Sequence, residues 1–201
     1  MQAQKLEQSG VTAAAGTTKA RIERAALALF CARGIDAVTT REIAAASGVS
    51  EGALYRHYPS KDALSQTMFF AIHERLAEDV GRAAAGAERI EDKARAITAA
   101  YARVADEDWT LFSYHLLTTH RFLPYADKAG EKTNIVAIVE NVIAAAMENG
   151  ELPEGDPAMK ASAALGVVLQ TALHKIYGRV KGDLKSHEPA LARAVIAVLK
   201  S

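Results

Sequence analysis

The sequence predicts an all-α protein, with an N-terminal three-helix helix-turn-helix domain followed by a C-terminal helical bundle, about nine helices in total. From Thr18 onward, apolar residues recur at helical spacing and the alternation typical of half-buried strands is absent. The few prolines lie where helices are expected to begin or end. Half of the 201 residues are hydrophobic, which is enough for a packed core.

The charge and cysteine content narrow the class of protein. The formal net charge is zero, with 8 basic and 6 acidic residues in 1–64 and 16 against 18 in the remainder. This mild asymmetry permits nucleic-acid binding by the N-terminal part without arguing for it. The single Cys31 excludes an internal disulfide and a cysteine-based zinc cluster, and we interpret it as an inert thiol. Because we find neither the apolar core of a signal peptide nor a long apolar run, we expect a cytoplasmic protein without a membrane partner.

The N-terminal helices can be bounded from their capping residues. Residues 1–17 are polar and small, which predicts a flexible tail. The first helix is expected from Lys19 to about Arg33, with Thr18 as its N-cap and Gly34 at its end. Its apolar stripe consists of Ile22, Ala26, Leu29 and Phe30.

Two short helices follow, each with its own cap. Thr39 and Glu42 have the spacing of a capping box at the start of the second helix, which Gly48 ends. Ser50 is the expected cap of the third helix, from Glu51 to about Tyr58. Two helices joined by so short a turn can hold the second in the major groove of DNA, with its first residues against base edges.

The remaining helices are expected from periodicity alone. A fourth helix is predicted from Lys61 to about Val80, followed by a Gly/Ala-rich break at 81–87. Later helices are predicted at about 89–105, 108–122, 130–149, 157–178 and 188–200. We therefore divide the chain into a tail (1–17), a DNA-binding domain (18–78) and an effector-binding and dimerisation domain (79–201).

The residues of the helix-turn-helix match a known pattern. They read Phe30-x3-Gly34-Ile35-x3-Thr39-Thr40-Arg41-x-Ile43-Ala44-x3-Gly48-Val49-Ser50-x-Gly52-x-Leu54-Tyr55-x-His57-Tyr58-x2-Lys61-x2-Leu64. This run resembles the DNA-binding domain of the TetR family of transcriptional regulators over about residues 18–78. Beyond it, the chain resembles the family only in being helical and of suitable length.

The resemblance implies specific contacts with operator DNA. It implies that Thr40, Tyr55, His57 and Lys61 contact phosphates, and that Arg41, Glu51 and Gly52 approach bases. Glu51 departs from the family pattern, where this position is often basic or amidic. Its carboxylate either accepts from a cytosine amino group, which sharpens specificity, or turns away from the phosphates that repel it. The full set of DNA-binding candidates is Thr39, Thr40, Arg41, Ser50, Glu51, Gly52, Tyr55, Arg56, His57 and Lys61.

Several of these residues also have plainer interpretations. Arg41 could be solvated surface, His57 could serve only a local hydrogen bond, and Tyr55 could pack its helix onto the first helix. We expect Tyr58 to pack its helix onto the first helix rather than contact DNA.

The last two long helices are the predicted dimer interface. Asp156-Pro157 is a strong helix start, and residues 161–173 are apolar nearly all round, so this helix must be covered on two faces. One face packs on a partner and the other on its own bundle, or the reverse; burial within a monomer is the alternative. The candidate interface residues are Ala161, Leu165, Val168, Ala172, Leu191, Val195 and Val198.

An aromatic and histidine cluster lies between Tyr101 and Tyr125. Apolar walls with a few polar groups describe a small-molecule pocket, and the resemblance implies an effector in this region. The alternative is ordinary core. The candidate ligand-binding residues are Tyr101, Trp109, Phe112, His115 and Phe122.

The sequence thus favours a ligand-responsive repressor that binds a palindromic operator as a homodimer. Its effector is expected to be an apolar or aromatic small molecule. The alternative is a ligand-independent DNA-binding adaptor regulated by protein contacts. We expect no enzyme, no cofactor and no metal, because phosphate-cradling loops, zinc signatures and acid pairs are lacking, and His115 and His120 lie on different helix faces.

Overall fold

The computed structural model describes residues 10–123 and 134–201, and within these ranges the secondary structure is entirely α-helical. The prediction of an all-α fold is confirmed. The helices are α1 (Thr18–Arg33), α2 (Thr40–Ser47), α3 (Glu51–His57), α4 (Lys61–Ala85), α5 (Ile90–Glu107), α6 (Trp109–Phe122), α7 (Ile135–Glu148), α8 (Pro157–Ile176) and α9 (Leu184–Lys200). Among these helices, none combines the length and apolarity required to cross a bilayer.

The chain forms two compact units. Of the described residues, the first unit contains 10–72 and 107–123, and the second contains 73–106 and 134–201. The single helix α4 is therefore shared, with its first half in one unit and its second half in the other. These units differ from the division at residue 78 that the sequence predicts, because α6 packs on α1 within the first unit.

The first unit is built around α1, which contacts α2, α3 and α6. Ile22, Leu27 and Phe30 on its inner face are buried. The start of α6 is fixed by Asp108, whose carboxylate accepts from the Leu111 amide at 3.1 Å and pairs with Arg24 at 2.5 Å.

The N-terminal segment differs from the sequence-based expectation. Thr17, rather than Thr18, caps α1, because its hydroxyl accepts from the Ala20 amide at 3.1 Å. Residues 1–9 of the predicted tail lie outside the described residues. Residues 10–17 are not loose: Thr12 hydrogen-bonds the buried Glu23 of α1.

In the second unit, α8 contacts both α7 and α9. It begins at Pro157 with Asp156 as N-cap, as expected. Helix α9 begins four residues earlier than predicted and has Pro189 inside it. The reason is a cap from elsewhere in the chain: the Asp106 carboxylate accepts from the Leu184 and Lys185 amides at 2.9 and 2.8 Å.

Candidate nucleic-acid interface

The turn between α2 and α3 is held by local hydrogen bonds. The Thr39 hydroxyl accepts from the Glu42 amide at 3.2 Å, and the Glu42 carboxylate accepts from the Thr39 amide at 2.8 Å, which completes the predicted capping box. Gly48 takes the left-handed conformation (φ 66°, ψ 37°) that ends α2. The Ser50 hydroxyl then caps α3 by accepting from the Ala53 amide at 3.2 Å.

Apolar side chains fix the two helices against α1. Ile43, Ala44 and Leu54 are buried, and so is Tyr58 at the end of α3. The expectation that Tyr58 packs inward is confirmed, since only 3% of it is exposed. These side chains bury one face of α2 and one face of α3, and the opposite faces are exposed.

The structure places all ten DNA-binding candidates in the first unit, on or beside α2, α3 and the start of α4. Thr40 and Lys61 are half-buried, and the other eight are exposed. The Thr40 hydroxyl and the Tyr55 phenol oxygen lie 3.2 Å apart, so residues from α2 and α3 meet at this surface. The Tyr55 side chain is 49% exposed.

Lys61 has a structural role that the sequence did not predict. Its ammonium group donates to the backbone carbonyl oxygens of Val38 at 2.8 Å and Asp36 at 3.3 Å. It therefore fastens the segment between α1 and α2 to the start of α4. An ammonium has three N–H donors, so one is left for another acceptor.

Glu42 is the most strongly perturbed carboxyl group of this surface. Hydrogen bonds from the Thr39 amide and hydroxyl, and from Arg33 at 2.8 Å, lower its pKa to about 2. It is therefore ionised at neutral pH and serves the fold rather than a partner.

Cys31 is held at the end of α1, where its thiol donates to the Thr110 carbonyl oxygen at 3.3 Å. Burial, and secondarily the charge of Asp108, raise its pKa to about 11. The thiol is thus protonated at neutral pH, as an unreactive cysteine is.

The second unit contains an apolar cavity between α5, α7, α8 and α9. Its volume of about 40 Å³ holds two or three water molecules and is far below that of a small-molecule pocket, about 300–1,000 Å³. The cavity is lined by Ile90, Ala94, Ile97, Thr98, Tyr101, Val139, Val142, Ile143, Ala164, Leu165, Val168, Val195 and Leu199.

The candidate ligand-binding residues are divided between the two units. Tyr101 lines the cavity of the second unit, where burial raises the pKa of its phenol well above the usual range. Trp109, Phe112, His115 and Phe122 belong to the first unit.

Of the four residues of the first unit, Phe112, His115 and Phe122 are buried and Trp109 is half-buried. The rings of His115 and Phe122 lie 4.9 and 5.1 Å from that of Phe69, and the rings of Trp109 and Phe112 are 6.0 Å apart. The burial of Phe112, His115 and Phe122 favours the core alternative at these three positions. Tyr125, at the end of the predicted cluster, lies outside the described residues.

The face of α8 that carries the candidate interface residues packs within the chain itself and is not open to a partner. Of the seven candidate interface residues, Ala161, Leu165, Val168, Ala172, Leu191 and Val195 are buried within the chain itself, and Val198 is half-buried. Leu165, Val168 and Val195 face the cavity. The exposed face of α8 carries Met159, Ala163, Gly166, Gln170 and, just past its end, Tyr177. Met159 and Tyr177 are 67% and 60% exposed, so this face is the one that a partner could cover.

Comparison with known proteins bears on both units. The family model described as bacterial regulatory proteins, tetR family, matches residues 22–68. A nucleoid occlusion factor, SlmA, of Haemophilus ducreyi is 52% identical over 44 residues, which is 22% of this chain and 20% of that protein. The chain is thus aligned with only about a fifth of that curated relative.

Two solved structures resemble the chain over most of its length. A bacterial regulatory protein in the tetR family from Rhodococcus RHA1 superposes with a TM-score of 0.77, at 21% identity, covering 92% of this chain and 97% of that one. The transcriptional regulator FadR from Bacillus subtilis, in complex with stearoyl-CoA, superposes with a TM-score of 0.70 at 16% identity, covering 89% and 97%. These likenesses establish a common fold.

Proposed function

We propose that the chain is a transcriptional regulator of the TetR family that recognises operator DNA through α2 and α3, and the match of residues 22–68 to the model of that family supports this. The observation that carries this proposal is the exposed polar surface on two helices that are individually capped and fixed to α1. Rigid placement matters because base readout needs side chains held in register with the major groove.

In this proposal α3 enters the major groove, with Arg41, Glu51 and Gly52 near base edges. Thr40, Tyr55, His57 and the remaining donor of Lys61 then contact phosphates, which set the register of the protein on the duplex. The Thr40–Tyr55 contact supports this division, because it joins two of the phosphate candidates on neighbouring helices.

Gly52 gives the sharpest support. A Cβ placed on it would meet no atom of the protein within 4 Å, and Gly52 is not among the glycines with positive φ. Neither packing nor backbone conformation therefore requires glycine at this exposed helical position. A helical glycine costs up to about 1 kcal/mol relative to alanine. The absence of a Cβ lets the α3 backbone come close to the groove floor.

Replacing Gly52 should therefore have opposite effects on stability and on DNA binding, and this can be tested. Gly52→Ala should raise the free energy of unfolding, by up to about 1 kcal/mol, and weaken operator binding. The operator is first found by footprinting the DNA beside the gene. Gly81→Ala, measured without effector, is the control for replacing a helical glycine, since its Cβ would lie at an ordinary contact distance of 3.9 Å from Ile138 in the second unit. It should stabilise the protein without changing affinity. Operator affinity that is unchanged in Gly52→Ala would contradict the placement of α3 in the groove.

We further propose that the protein binds a palindromic operator as a homodimer. The exposed face of α8 supports this, because an apolar helix face of this kind on one chain is usually covered by another. Two copies related by a twofold axis would present two α3 helices to the two half-sites of a palindrome.

The finer proposal is a repressor that is released by a small apolar effector. The cavity supports it, since its lining is apolar and Tyr101 is among the lining residues. The FadR structure with stearoyl-CoA shows that a protein of this fold binds a molecule with a long apolar chain. At about 40 Å³ the cavity has to widen before it accepts such a ligand.

Widening could be transmitted through α7 and α4. Val139 and Val142 of α7 line the cavity, and Ile138 of the same helix lies beside Gly81 of α4. Helix α4 then continues to Lys61. The effector would favour a conformation in which α4 has moved and the two α3 helices no longer match the operator.

Linkage supplies the test of this mechanism. An effector that weakens operator binding must itself bind less tightly to the operator complex, by the same factor. Calorimetry of an effector with and without operator measures both values. Equal effector affinity in the two titrations would contradict the mechanism.

The small cavity favours a second candidate function, a DNA-binding adaptor regulated by protein contacts. A screen of fatty acyl and aromatic compounds by thermal shift separates the two. If no compound raises the melting temperature while operator binding is intact, the adaptor is favoured.

A further inference from the structure

Glu23 is a buried carboxyl group that joins three distant parts of the first unit. It lies on α1 and is fully buried. Its Oε1 atom accepts from the Tyr58 phenol and from the Thr12 hydroxyl, both at 2.5 Å, and its Oε2 atom accepts from the Thr12 amide at 2.9 Å. Two of its three donors thus come from a single residue that precedes α1.

The segment carrying Thr12 passes unusually close to α1. A Cβ on Gly10 would lie 2.2 Å from Glu23 Oε2 and 2.8 Å from the Cα atom of Ala20, distances that real Cβ atoms essentially never show. The Gly10 amide donates to the Ala13 carbonyl oxygen at 2.9 Å, which closes a turn over the carboxyl group. Glycine is therefore required here by close approach rather than by φ. We call residues 10–13 the strap.

On its other side, Glu23 holds the end of α3. Tyr58 is the C-cap residue of α3, and its amide donates to the Leu54 carbonyl oxygen at 2.9 Å. The Lys19 ammonium of α1 lies 5.6 Å from the centre of the Tyr58 ring. Tyr58 thereby anchors α3 to α1, and its own hydrogen bond ends on the same oxygen that Thr12 uses.

A buried carboxyl group needs all of its donors. Without the Thr12 hydroxyl, Oε1 keeps only the Tyr58 phenol and Oε2 keeps only the Thr12 amide, so two donors instead of three hold the carboxyl group in place and it is freer to shift. Loss of the strap would therefore displace Glu23, and with it the Tyr58 anchor. Movement at Tyr58 is movement of α3.

We propose that the strap positions the DNA-binding surface. Thr12 supplies two of the three hydrogen-bond donors to Glu23, and the position of Glu23 sets that of α3 through Tyr58. This inference rests on the proposed function, since it assumes that α3 reads the operator. Thr12 and Gly10 are positioning residues: neither needs to touch DNA.

The test uses Thr12→Val, which removes the hydroxyl and keeps shape and backbone amide. Thr12→Ser restores the hydroxyl. Thr118→Val is the control, because its hydroxyl also makes a side-chain hydrogen bond in the first unit, donating to the Tyr114 carbonyl oxygen at 2.7 Å. Affinity for the footprinted operator and for an unrelated duplex is measured well below the melting temperature of each variant.

We expect Thr12→Val to lose operator affinity about tenfold, equivalent to about 1.4 kcal/mol, while affinity for the unrelated duplex changes less than about twofold. Thr12→Ser and Thr118→Val should bind like the wild type. Gly10→Ala should reproduce the loss through steric displacement. A purely stabilising strap would leave the ratio of the two affinities unchanged, and that result would overturn the proposal.

A second measurement does not depend on DNA. Amide hydrogen exchange of α3 should accelerate in Thr12→Val and not in Thr118→Val, and Tyr58→Phe should produce the same acceleration. Because Thr12 and Tyr58 act on one carboxyl group, the effects of the two substitutions should be less than additive in the double variant. If amide exchange of α3 is unchanged in Thr12→Val, the proposed role of the strap is wrong, even if no operator is found. A missing operator with accelerated exchange would refute the proposed function alone.

Discussion

Lys61 gives a prediction in which a structural role and a DNA-binding role can be separated. Lys61→Met keeps most of the aliphatic stem and removes the ammonium group. In the structure that group gives two donors to the carbonyl oxygens of Val38 and Asp36, at 2.8 and 3.3 Å. One N–H donor is left, so Lys61 can neutralise one phosphate.

The magnitude follows from counterion release. One phosphate contact contributes about 0.9 to the slope of log K against log salt concentration. The affinity advantage of the wild type over Lys61→Met should therefore shrink about 3.5-fold between about 50 and 200 mM salt, on operator and unrelated DNA alike. The lost carbonyl contacts should separately lower the free energy of unfolding by about 1–2 kcal/mol, since Lys61 is only half-buried.

Fluorescence anisotropy across this salt range, with urea unfolding of each variant, measures both effects. Lys175→Met is the matched control, because its ammonium also donates to a backbone carbonyl, that of Gly182 at 2.6 Å, but in the second unit. It should leave the salt slope unchanged. If a folded Lys61→Met variant keeps the wild-type slope, Lys61 only fastens the segment between α1 and α2.

Three other predictions concern base readout, assembly and pH. Arg41→Ala should cost about 1–3 kcal/mol of operator binding and relax preference at one base pair per half-site; a uniform loss over all operator variants would make Arg41 a phosphate contact instead. Ala163→Glu, on the exposed face of α8, should give a folded monomer by light scattering, whereas Leu165→Glu should unfold the second unit because it buries a charge beside the cavity. An unaltered dimer in Ala163→Glu would place the interface elsewhere. Since the folded pKa of Glu42 lies near 2, below its ordinary value of 4.5, its contribution should be complete above about pH 5 and lost as the pH falls through about 2. The stability difference between wild type and Glu42→Gln, followed by acid titration, should shrink over that window and not above it.

The helix-turn-helix could be predicted from the sequence because its determinants are local. The Thr39–Glu42 capping box, the left-handed Gly48 and the Ser50 cap each involve residues within a few positions of one another. The start of α8 at Asp156-Pro157 is of the same kind. Such signals act before any tertiary contact forms, so they can be seen in the chain itself.

The role of the aromatic cluster could not be predicted from the sequence. Composition alone could not distinguish a ligand pocket from core at Trp109, Phe112, His115 and Phe122. That distinction depends on Phe69, which is far away in sequence and stacks against His115. The apolar cavity is elsewhere, and among the predicted ligand residues Tyr101 lines it.

What the sequence by itself determined is therefore the fold class, the helices with local caps and the identity of the exposed surface on α2 and α3. Only the tertiary structure decided which face of α8 turns inward, because both faces are apolar enough to be buried. It also decided that α9 begins at Leu184, through a carboxylate 78 residues earlier in the chain, and that Thr12 closes over Glu23. Local caps and periodicity depend on near neighbours in sequence, whereas these features depend on which distant polar groups have to be satisfied once the helices pack.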